Sequence, residues 1–240
     1  MMLTSNEIPV LAIIIETLVA VSMGFLTVRG FMKYSERKRK PTLFLSLSFL
    51  FMALAVASSA TGKWIQFFMD TPVLSYDDGF IIIAYMMTAI ANVFIYVFMD
   101  EVFLNLGNLY VAIVGLLNGI TVGTLIIMND FGEELYNEAF PIVVYHAAIS
   151  LITFGLLAGL SIREAVKSQQ ELPKVGFVLI GMYGIFVALV FILFALDLAM
   201  PTGYTPFYYA AWISAGVGVL CGYLGYIFPE WLRKFLKLEA

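Results

Sequence analysis

Charged residues are scarce in this sequence, and their scarcity excludes most classes of soluble protein. Only 12% of the 240 residues are charged, whereas 62% are hydrophobic and the mean hydropathy is +0.95. Soluble domains carry charge on about a quarter of their residues. The composition therefore predicts an integral membrane protein with no room for a sizeable soluble domain.

Cysteine and histidine are nearly absent, since the chain has one cysteine, Cys221, and one histidine, His146. One thiol cannot form an intramolecular disulfide. One histidine cannot supply a multi-histidine zinc centre or the paired axial ligands of a membrane haem. Glycine-rich phosphate loops and intramembrane protease motifs are also missing. We therefore predict no cofactor and no metal site, we do not expect an enzyme, and the small polar surface gives no reason to expect nucleic-acid binding.

Seven apolar runs are long enough to be transmembrane helices, each of which needs about 20 residues. Strands of a membrane barrel are shorter and alternate apolar with polar residues, a pattern that these runs lack. We predict an all-α membrane protein, a seven-transmembrane-helix bundle that forms one domain over residues 1–228. The predicted spans are residues 8–28, 43–69, 80–99, 106–128, 140–162, 175–200 and 204–228.

The remaining residues, 229–240, are predicted to form a short cytoplasmic tail. Trp231, Leu232 and Phe235 can share one helical face, with Arg233 on another. That pattern is typical of a short amphipathic helix that lies on the inner membrane surface. The alternative is a plain basic cluster that stops transfer across the membrane.

Lysine and arginine are distributed very unevenly between the two predicted faces of the membrane. All 13 of them except Lys63 lie within residues 29–40, 163–174 and 233–237. Basic residues near the ends of spans remain on the cytoplasmic side. We therefore predict a multi-pass protein of the cell membrane with its N-terminus outside, its C-terminus in the cytoplasm and a basic first loop over residues 33–41. The acidic residues expected outside are Glu7, Asp70, Asp77, Asp78, Asp130, Glu133, Glu134, Glu138 and Asp197.

Three ionisable residues, Glu16, Lys63 and His146, lie inside predicted spans, where such residues are rare and are therefore candidates for a functional site. At about 1.5 Å per residue, all three lie about 9 to 12 Å below the outer ends of their spans. An unpaired ammonium at that depth is costly, so Lys63 needs a carboxylate, and Glu16 on the neighbouring helix is the best one available. The pair either links helices 1 and 2 structurally, with Lys63 alternatively reaching outward to Asp70, or belongs to a polar site open to the outside.

Aromatic side chains at comparable depths favour a polar site. Tyr208 and Trp212 are spaced to share one face of helix 7. Tryptophan and tyrosine are enriched at membrane interfaces whatever the function, so their number alone does not decide. The predicted ligand-binding residues are Glu16, Lys63, Trp64, Tyr145, His146, Tyr208 and Trp212.

Helix 3 carries a polar stripe along one face, which we expect to point into the bundle. Helix 5 repeats the pattern with His146, Ser150 and Thr153. These side chains either form interhelical hydrogen bonds, each worth about 0.6 kcal/mol, or line a water path. The stripe of helix 3 consists of Tyr85, Thr88, Asn92 and Tyr96.

Glycine recurs at four-residue intervals on three of the predicted helices. Such steps of small residues allow the backbones of two helices to approach closely. We expect contacts within the bundle, and a homodimer through the glycine face of helix 4 is the alternative. The glycines are Gly115, Gly119 and Gly123 on helix 4, Gly155 and Gly159 on helix 5, and Gly218 and Gly222 on helix 7.

The last span runs into the sequence Gly225-Tyr226-Ile227-Phe228-Pro229-Glu230-Trp231-Leu232-Arg233-Lys234. With seven spans, an outside N-terminus and a basic first loop, this arrangement resembles the seven-helix sensory input modules of prokaryotic, especially archaeal, sensor histidine kinases. In that family the last helix passes through a proline and a tryptophan into a cytoplasmic signalling domain. No phosphoacceptor helix and no ATP-binding region follow here, so the resemblance implies sensing without kinase activity. We expect a free-standing module that acts through a partner, or a fragment.

Three functions are compatible with these features. The first is a receptor-like sensor that binds a small ligand, ion or proton in the outer half of the bundle and signals through a cytoplasmic partner. The second is a small-solute or ion transporter or channel that uses the polar faces of helices 3 and 5. The third is an assembly or scaffold subunit of a membrane complex. In each case the lipid bilayer is the surrounding partner.

Overall fold

The computed structural model describes residues 9–69, 74–128, 135–200 and 204–236. The regular elements within these ranges are helical, and seven helices are long and apolar enough to cross a membrane. The predicted all-α architecture with seven membrane-spanning helices is therefore confirmed. The α-helices are α1 (Val10–Arg37), α2 (Lys40–Met69), α3 (Leu74–Met99), α4 (Asn108–Met128), α5 (Leu135–Lys167), α6 (Glu171–Leu198), α7 (Pro206–Ile227) and α8 (Glu230–Phe235), and a π-helix, Asp100–Leu104, continues α3.

The first helix extends nine residues beyond the end of its predicted span, and the second begins three residues before its predicted span. Because α1 continues to Arg37 and α2 begins at Lys40, the predicted first loop over residues 33–41 is wrong, and only a short turn joins the helices. Lys38 ends α1 by adopting a left-handed backbone with φ 52°, and its N–H donates to the carbonyl of Tyr34. Lysine, arginine and glutamate are good helix formers, so a helix rich in them continues after it leaves the hydrocarbon.

The start of α7 is fixed by local chemistry. Thr205 caps the helix, since its hydroxyl accepts the N–H of Phe207 at 3.2 Å, and Pro206 occupies the first turn, where proline is tolerated. The backbone N–H and the hydroxyl of Thr205 both donate to Asp197 Oδ1, at 2.8 and 2.6 Å. These bonds join the end of α6 to the start of α7.

Helices that are neighbours in sequence pack against one another, and α1 also packs against α7, so the bundle closes on itself. α3 additionally contacts α5. α4 lies at the edge, because only 17% of its apolar segment is buried, compared with 44% for α2. The edge position of α4 leaves most of its surface facing outward from the bundle.

One end of the bundle, where α1, α5 and α7 end, carries the described lysines and arginines other than Lys63, and we name it the basic end. There Phe228 ends α7 in a left-handed conformation with φ 51°. The tail that was predicted as an amphipathic helix or a plain basic cluster is helical over Glu230–Phe235, with Leu232 buried and Trp231 exposed. Glu7, Asp70, Asp130, Glu133, Glu134 and the tail residues 237–240 lie outside the described residues.

Glycine mediates close helix contacts, but mainly at positions other than those expected. A Cβ added to Gly184 of α6 would lie 2.8 Å from the carbonyl oxygen of Phe154 and 2.9 Å from the nitrogen of Ala158, both on α5. Gly218 and Gly222 of α7 pack against α6, as expected, with added Cβ atoms at 3.3 Å from Phe186 and Tyr183 respectively. Of the glycines expected to make bundle contacts, five would meet no atom within 4 Å, namely Gly115, Gly119, Gly123, Gly155 and Gly159.

The difference arises from how each helix is rotated about its own axis. On α4 and α5 the glycine faces turn away from the helices of the bundle, whereas Gly181 and Gly184 of α6 face α5. Spacing along the sequence shows that glycines share a face, but it does not show which way that face points.

Candidate functional site

Glu16 of α1 and Lys63 of α2 form an ion pair within the membrane-spanning part of the bundle. Lys63 Nζ lies 2.9 Å from Glu16 Oε1, and the two side chains are 5% and 1% exposed. The sequence predicted this partnership from their shared depth. Lys63 does not extend outward as the alternative required, and Asp70, its proposed second partner, lies outside the described residues.

Two hydroxyl groups complete the surroundings of the pair. Ser59 and Tyr208 donate to Glu16 Oε1 at 3.2 and 3.0 Å, and Lys63 also donates to Ser59 Oγ at 2.9 Å. Because Tyr208 belongs to α7, the group joins α1, α2 and the last membrane-spanning helix. We name Glu16, Ser59, Lys63 and Tyr208 the ion-pair centre.

The two oxygens of the Glu16 carboxylate differ in their hydrogen bonding. Oε1 accepts from Lys63, Ser59 and Tyr208, whereas Oε2 is buried and has no hydrogen-bond partner among the residues that the structure describes. A buried charge is stable only when it is paired and hydrogen-bonded. The side of Glu16 that carries Oε2 therefore retains the capacity to accept a further donor or a proton.

The predicted aromatic residues Trp64 and Trp212 lie beside the ion-pair centre. Trp64 Nε1 donates to Thr17 Oγ1 at 2.9 Å, which forms a second link between α2 and α1. The ring of Trp212 is 6.3 Å from that of Tyr208 and 5.4 Å from that of Phe194 on α6. The two tryptophans thus pack the surroundings of the pair and do not bond directly to its charges.

Tyr145 and His146, which were predicted to share this site, contact other helices. The hydroxyl of Tyr145 donates to the carbonyl of Leu117 on α4 at 2.9 Å. The ring of His146 is 5.4 Å from that of Tyr85 on α3 and 6.1 Å from that of Phe191 on α6. The single predicted set of ligand-binding residues therefore divides into two groups. Equal depth in the membrane does not determine position around the bundle.

The second group is a hydrogen-bonded set of neutral side chains on α3, α4 and α5. Asn92 Nδ2 donates to Asn118 Oδ1 at 3.1 Å and to Ser150 Oγ at 2.8 Å. Ser150 Oγ lies 3.5 Å from His146 Nε2. All four side chains are buried, at 0 to 1% exposure. We name Asn92, Asn118, His146 and Ser150 the amide cluster.

The remaining residues of the helix 3 stripe have separate roles. The hydroxyl of Thr88 donates to the carbonyl of Ala84 in its own helix at 2.8 Å. Tyr96 is 8% exposed and packs in the hydrophobic core. Asn92 of the stripe thus belongs to the amide cluster, and Tyr85 contacts its His146. The bonds of Asn92 agree with the interhelical alternative.

Sequence analysis missed Ser59 and Asn118, although each carries a readable signal. Ser59 lies one helical turn before Lys63, a spacing that places two side chains side by side. Asn118 is an isolated amide between Gly115 and Gly119 in an apolar span, where a polar side chain needs an interhelical partner. Neither signal, however, identifies the residue to which Ser59 or Asn118 is hydrogen-bonded.

A link between α1 and α7 at the basic end was also missed. Lys33 Nζ donates to the carbonyl of Tyr226 and, at 3.2 Å, to that of Ile227. It also lies 4.9 Å from the centre of the Tyr226 ring. The last carbonyls of a helix carry partial negative charge, which a lysine stabilises. α1 therefore holds α7 at two levels, through Glu16 and through Lys33.

Within the described ranges, no group of three or more histidine, cysteine, aspartate or glutamate side chains is arranged to hold a metal ion. In comparisons with known proteins, no protein-family model, no curated protein and no solved structure matches the chain. Any statement about function therefore depends on the chemistry of the two polar groups.

Proposed function

We propose that the protein is a receptor-like sensor of the cell membrane, and that the ion-pair centre responds to the signal. The observation that carries the proposal is the hydrogen bond from Tyr208 to Glu16, because it connects a buried ion pair to the last membrane-spanning helix. Ionisable residues inside a membrane mark functional sites. The same function was expected from the sequence, because the α7–α8 segment resembles the input modules of archaeal sensor histidine kinases.

The size and burial of the centre favour a proton or a small ion as the signal. The side chains of Lys63 and Glu16 are 5% and 1% exposed, which leaves little surface for a larger ligand. A proton on Glu16 would remove its attraction for Lys63, and a cation would compete with Lys63 for the carboxylate. A ligand shifts an equilibrium only by binding two arrangements differently, and both changes satisfy that requirement.

The path from the centre to the basic end runs along α7. Glu16 holds α7 at Tyr208, and Lys33 holds it at its last carbonyls. A change at the first contact would therefore alter how α7 lies on α1 and would move α8. We propose that a cytoplasmic partner binds the basic end and responds to that movement.

The orientation of the chain is part of this proposal, and it has its own test. With Cys221 replaced by alanine, single cysteines at Ser35 and Asn137 are labelled in intact cells with a membrane-impermeant reagent. We expect Asn137→Cys to react and Ser35→Cys to react only after lysis, because basic residues remain cytoplasmic. The reverse pattern would overturn the orientation and the location of the partner.

The sensing function is tested by spin-label distances in lipid nanodiscs. Labels at the basic ends of α2 and α7 should show a distance change when pH or cation concentration is varied. The double variant Glu16→Leu, Lys63→Met should abolish the change. The matched control Glu164→Gln, Lys167→Met removes an ion pair of similar length, 3.0 Å, at an exposed site and should retain it. A wild-type distance that is insensitive to protons and to Na⁺, K⁺ or Ca²⁺ contradicts the proposal.

A transporter or channel is the second candidate, and the amide cluster favours it, because polar side chains inside a bundle can line a path for solutes. The two functions differ in flux. A transporter moves ions or small solutes across reconstituted liposomes, whereas a sensor does not. Passive flux that Asn92→Leu abolishes would favour transport over sensing.

The open glycine face of α4 favours a further candidate, in which the protein is an assembly subunit or forms a homodimer. An added Cβ at Gly115, Gly119 or Gly123 would meet no atom of the bundle within 4 Å. Cysteine at Gly119, in a chain without Cys221, should then form a disulfide-linked dimer in membranes. A cysteine at the exposed Ile152 of α5 is the control.

A further inference from the structure

Three buried polar atoms without a partner belong to the amide cluster or to Thr121, which is one helical turn from Asn118 on α4. They are Asn92 Oδ1, Thr121 Oγ1 and His146 Nδ1, three of the ten buried side-chain atoms for which the described residues provide no hydrogen bond. Their side chains belong to α3, α4 and α5 respectively, and each residue is 0 to 1% exposed. Native proteins pair nearly all such groups, either within the chain or with a bound molecule.

The orientation of the two amide groups shows which kind of hydrogen-bond partner Asn92 lacks. Asn118 Nδ2 donates to the carbonyl of Val114 at 3.0 Å, so Asn118 must present its oxygen to Asn92. Asn92 therefore turns its NH₂ group toward Asn118 and Ser150 and uses both hydrogens there. Its Oδ1 keeps two free lone pairs, which only a donor can satisfy.

The residues that carry the other two atoms are helical neighbours of members of the amide cluster. Thr121 follows Asn118 by three residues and shares its face of α4. His146 precedes Ser150 by one turn and approaches it at Nε2. A hydroxyl both donates and accepts, and one nitrogen of a neutral imidazole donates while the other accepts. α3, α4 and α5 thus present both unpaired donors and unpaired acceptors, and one small molecule that donates and accepts hydrogen bonds can pair with them.

The charge of the surroundings restricts the molecule further. The amide cluster and Thr121 carry no aspartate, glutamate, lysine or arginine, in contrast to the ion-pair centre. A charged ligand would lack a counter-charge there, and burial of such a charge is strongly unfavourable.

We infer that α3, α4 and α5 enclose a binding site for a small neutral molecule that both donates and accepts hydrogen bonds, either water or a small polyol. The site is separate from the ion-pair centre and does not depend on the sensing function. Buried water molecules in proteins make about three hydrogen bonds to groups that would otherwise be unpaired. Asn92, Thr121 and His146 supply that number from three helices.

The single histidine gives a direct measurement, because ¹⁵N-histidine labels one imidazole in the whole chain. In lipid bilayers, solid-state NMR can record how fast magnetisation passes from water to the ring nitrogens of His146. We expect early transfer in the wild type and, in Thr121→Val, a build-up slower by at least about twofold, since a bound water needs two to four partners. The control Ser161→Ala removes an equally buried, unpaired hydroxyl from α5 and should leave the transfer unchanged.

Added ¹³C-labelled glycerol distinguishes bound water from a bound polyol. If transfer from water persists, the site binds water, and if contacts to labelled carbon replace it, the site binds a polyol. A wild-type His146 ring that receives magnetisation from neither source overturns the inference, as does an equal effect of Ser161→Ala and Thr121→Val. The wild-type result requires no variant to fold, and the melting temperature shows whether Thr121→Val remains folded.

Discussion

The ion-pair centre and the amide cluster are both buried polar groups, but the first pairs opposite charges, whereas the second pairs neutral side chains. In the first, opposite charges meet at 2.9 Å, and two hydroxyl groups add further bonds to the same oxygen. In the second, neutral groups share bonds of 2.8 to 3.1 Å. Each group leaves buried atoms without a partner among the described residues, Glu16 Oε2 in the first and Asn92 Oδ1 and His146 Nδ1 in the second.

The contrast shows how differently the two sides of the bundle are held. Removing one partner of a buried ion pair is strongly destabilising, so α1, α2 and α7 form the side that is most sensitive to a single substitution. Neutral interhelical bonds in membranes contribute only about 0.6 kcal/mol each. α4 depends on such bonds and on a segment that is 17% buried, so it forms the weakly connected side. Substitutions that compare the two sides should therefore differ in size.

The largest effect is expected at the ion pair. Lys63→Met leaves the Glu16 carboxylate buried without its counter-charge and should reduce stability by about 3 to 5 kcal/mol. The double variant Glu16→Leu, Lys63→Met should recover much of that loss, because a buried pair is replaceable by apolar side chains. Thermal unfolding in detergent of both single variants and the double variant measures this. Additive losses without recovery would show that the charges do not stabilise each other.

Glycine provides the next comparison. Gly184→Ala places a Cβ at 2.8 Å from the Phe154 carbonyl and should destabilise by about 1 to 3 kcal/mol, because backbone atoms of α5 must move. Gly119→Ala meets no atom and should stabilise the protein by up to about 1 kcal/mol through its higher helix propensity. Melting temperatures of the two variants should therefore change in opposite directions. Equal losses would mean that α4 is packed against something in the membrane.

The amide cluster should give a smaller effect. Asn92→Leu deprives Asn118 Oδ1 and Ser150 of a donor and should cost about 1 to 2 kcal/mol of unfolding free energy. Thr88→Val, on the same face of α3, removes only a bond to the helix's own carbonyl and is the matched control with little effect. If both variants unfold at the same temperature, the bonds of Asn92 do not hold α4 and α5.

The smallest effect is expected at the basic end. Lys33→Met removes the cation from the last carbonyls of α7 and should cost about 0.3 to 1 kcal/mol, the usual worth of a charge at a helix terminus. Lys167→Met, in an exposed pair with Glu164, is the control and should have less effect. High salt should reduce the difference in stability between the two variants only slightly, because Lys33 is partly buried and its charge is therefore little screened. A larger effect for Lys167→Met would contradict a role for Lys33 in holding α7.

The sequence by itself determined the seven membrane-spanning helices, because hydropathy is a local property and a span needs only length and apolar side chains. It also indicated the partnership of Glu16 and Lys63, because the rise per residue converts position along a helix into depth. The helical extension to Arg37 was missed, since a hydropathy boundary marks the edge of the membrane and does not mark the end of a helix.

Only the tertiary structure decided how the helices are rotated and which of them are neighbours. His146 has the same predicted depth as Glu16, yet it contacts Tyr85 and Ser150 on the other side of the bundle. The glycines of α4 share one face, yet that face points away from the bundle. Depth follows from the repeat of a single helix, whereas rotation depends on the packing of all seven, which no single segment of the sequence contains.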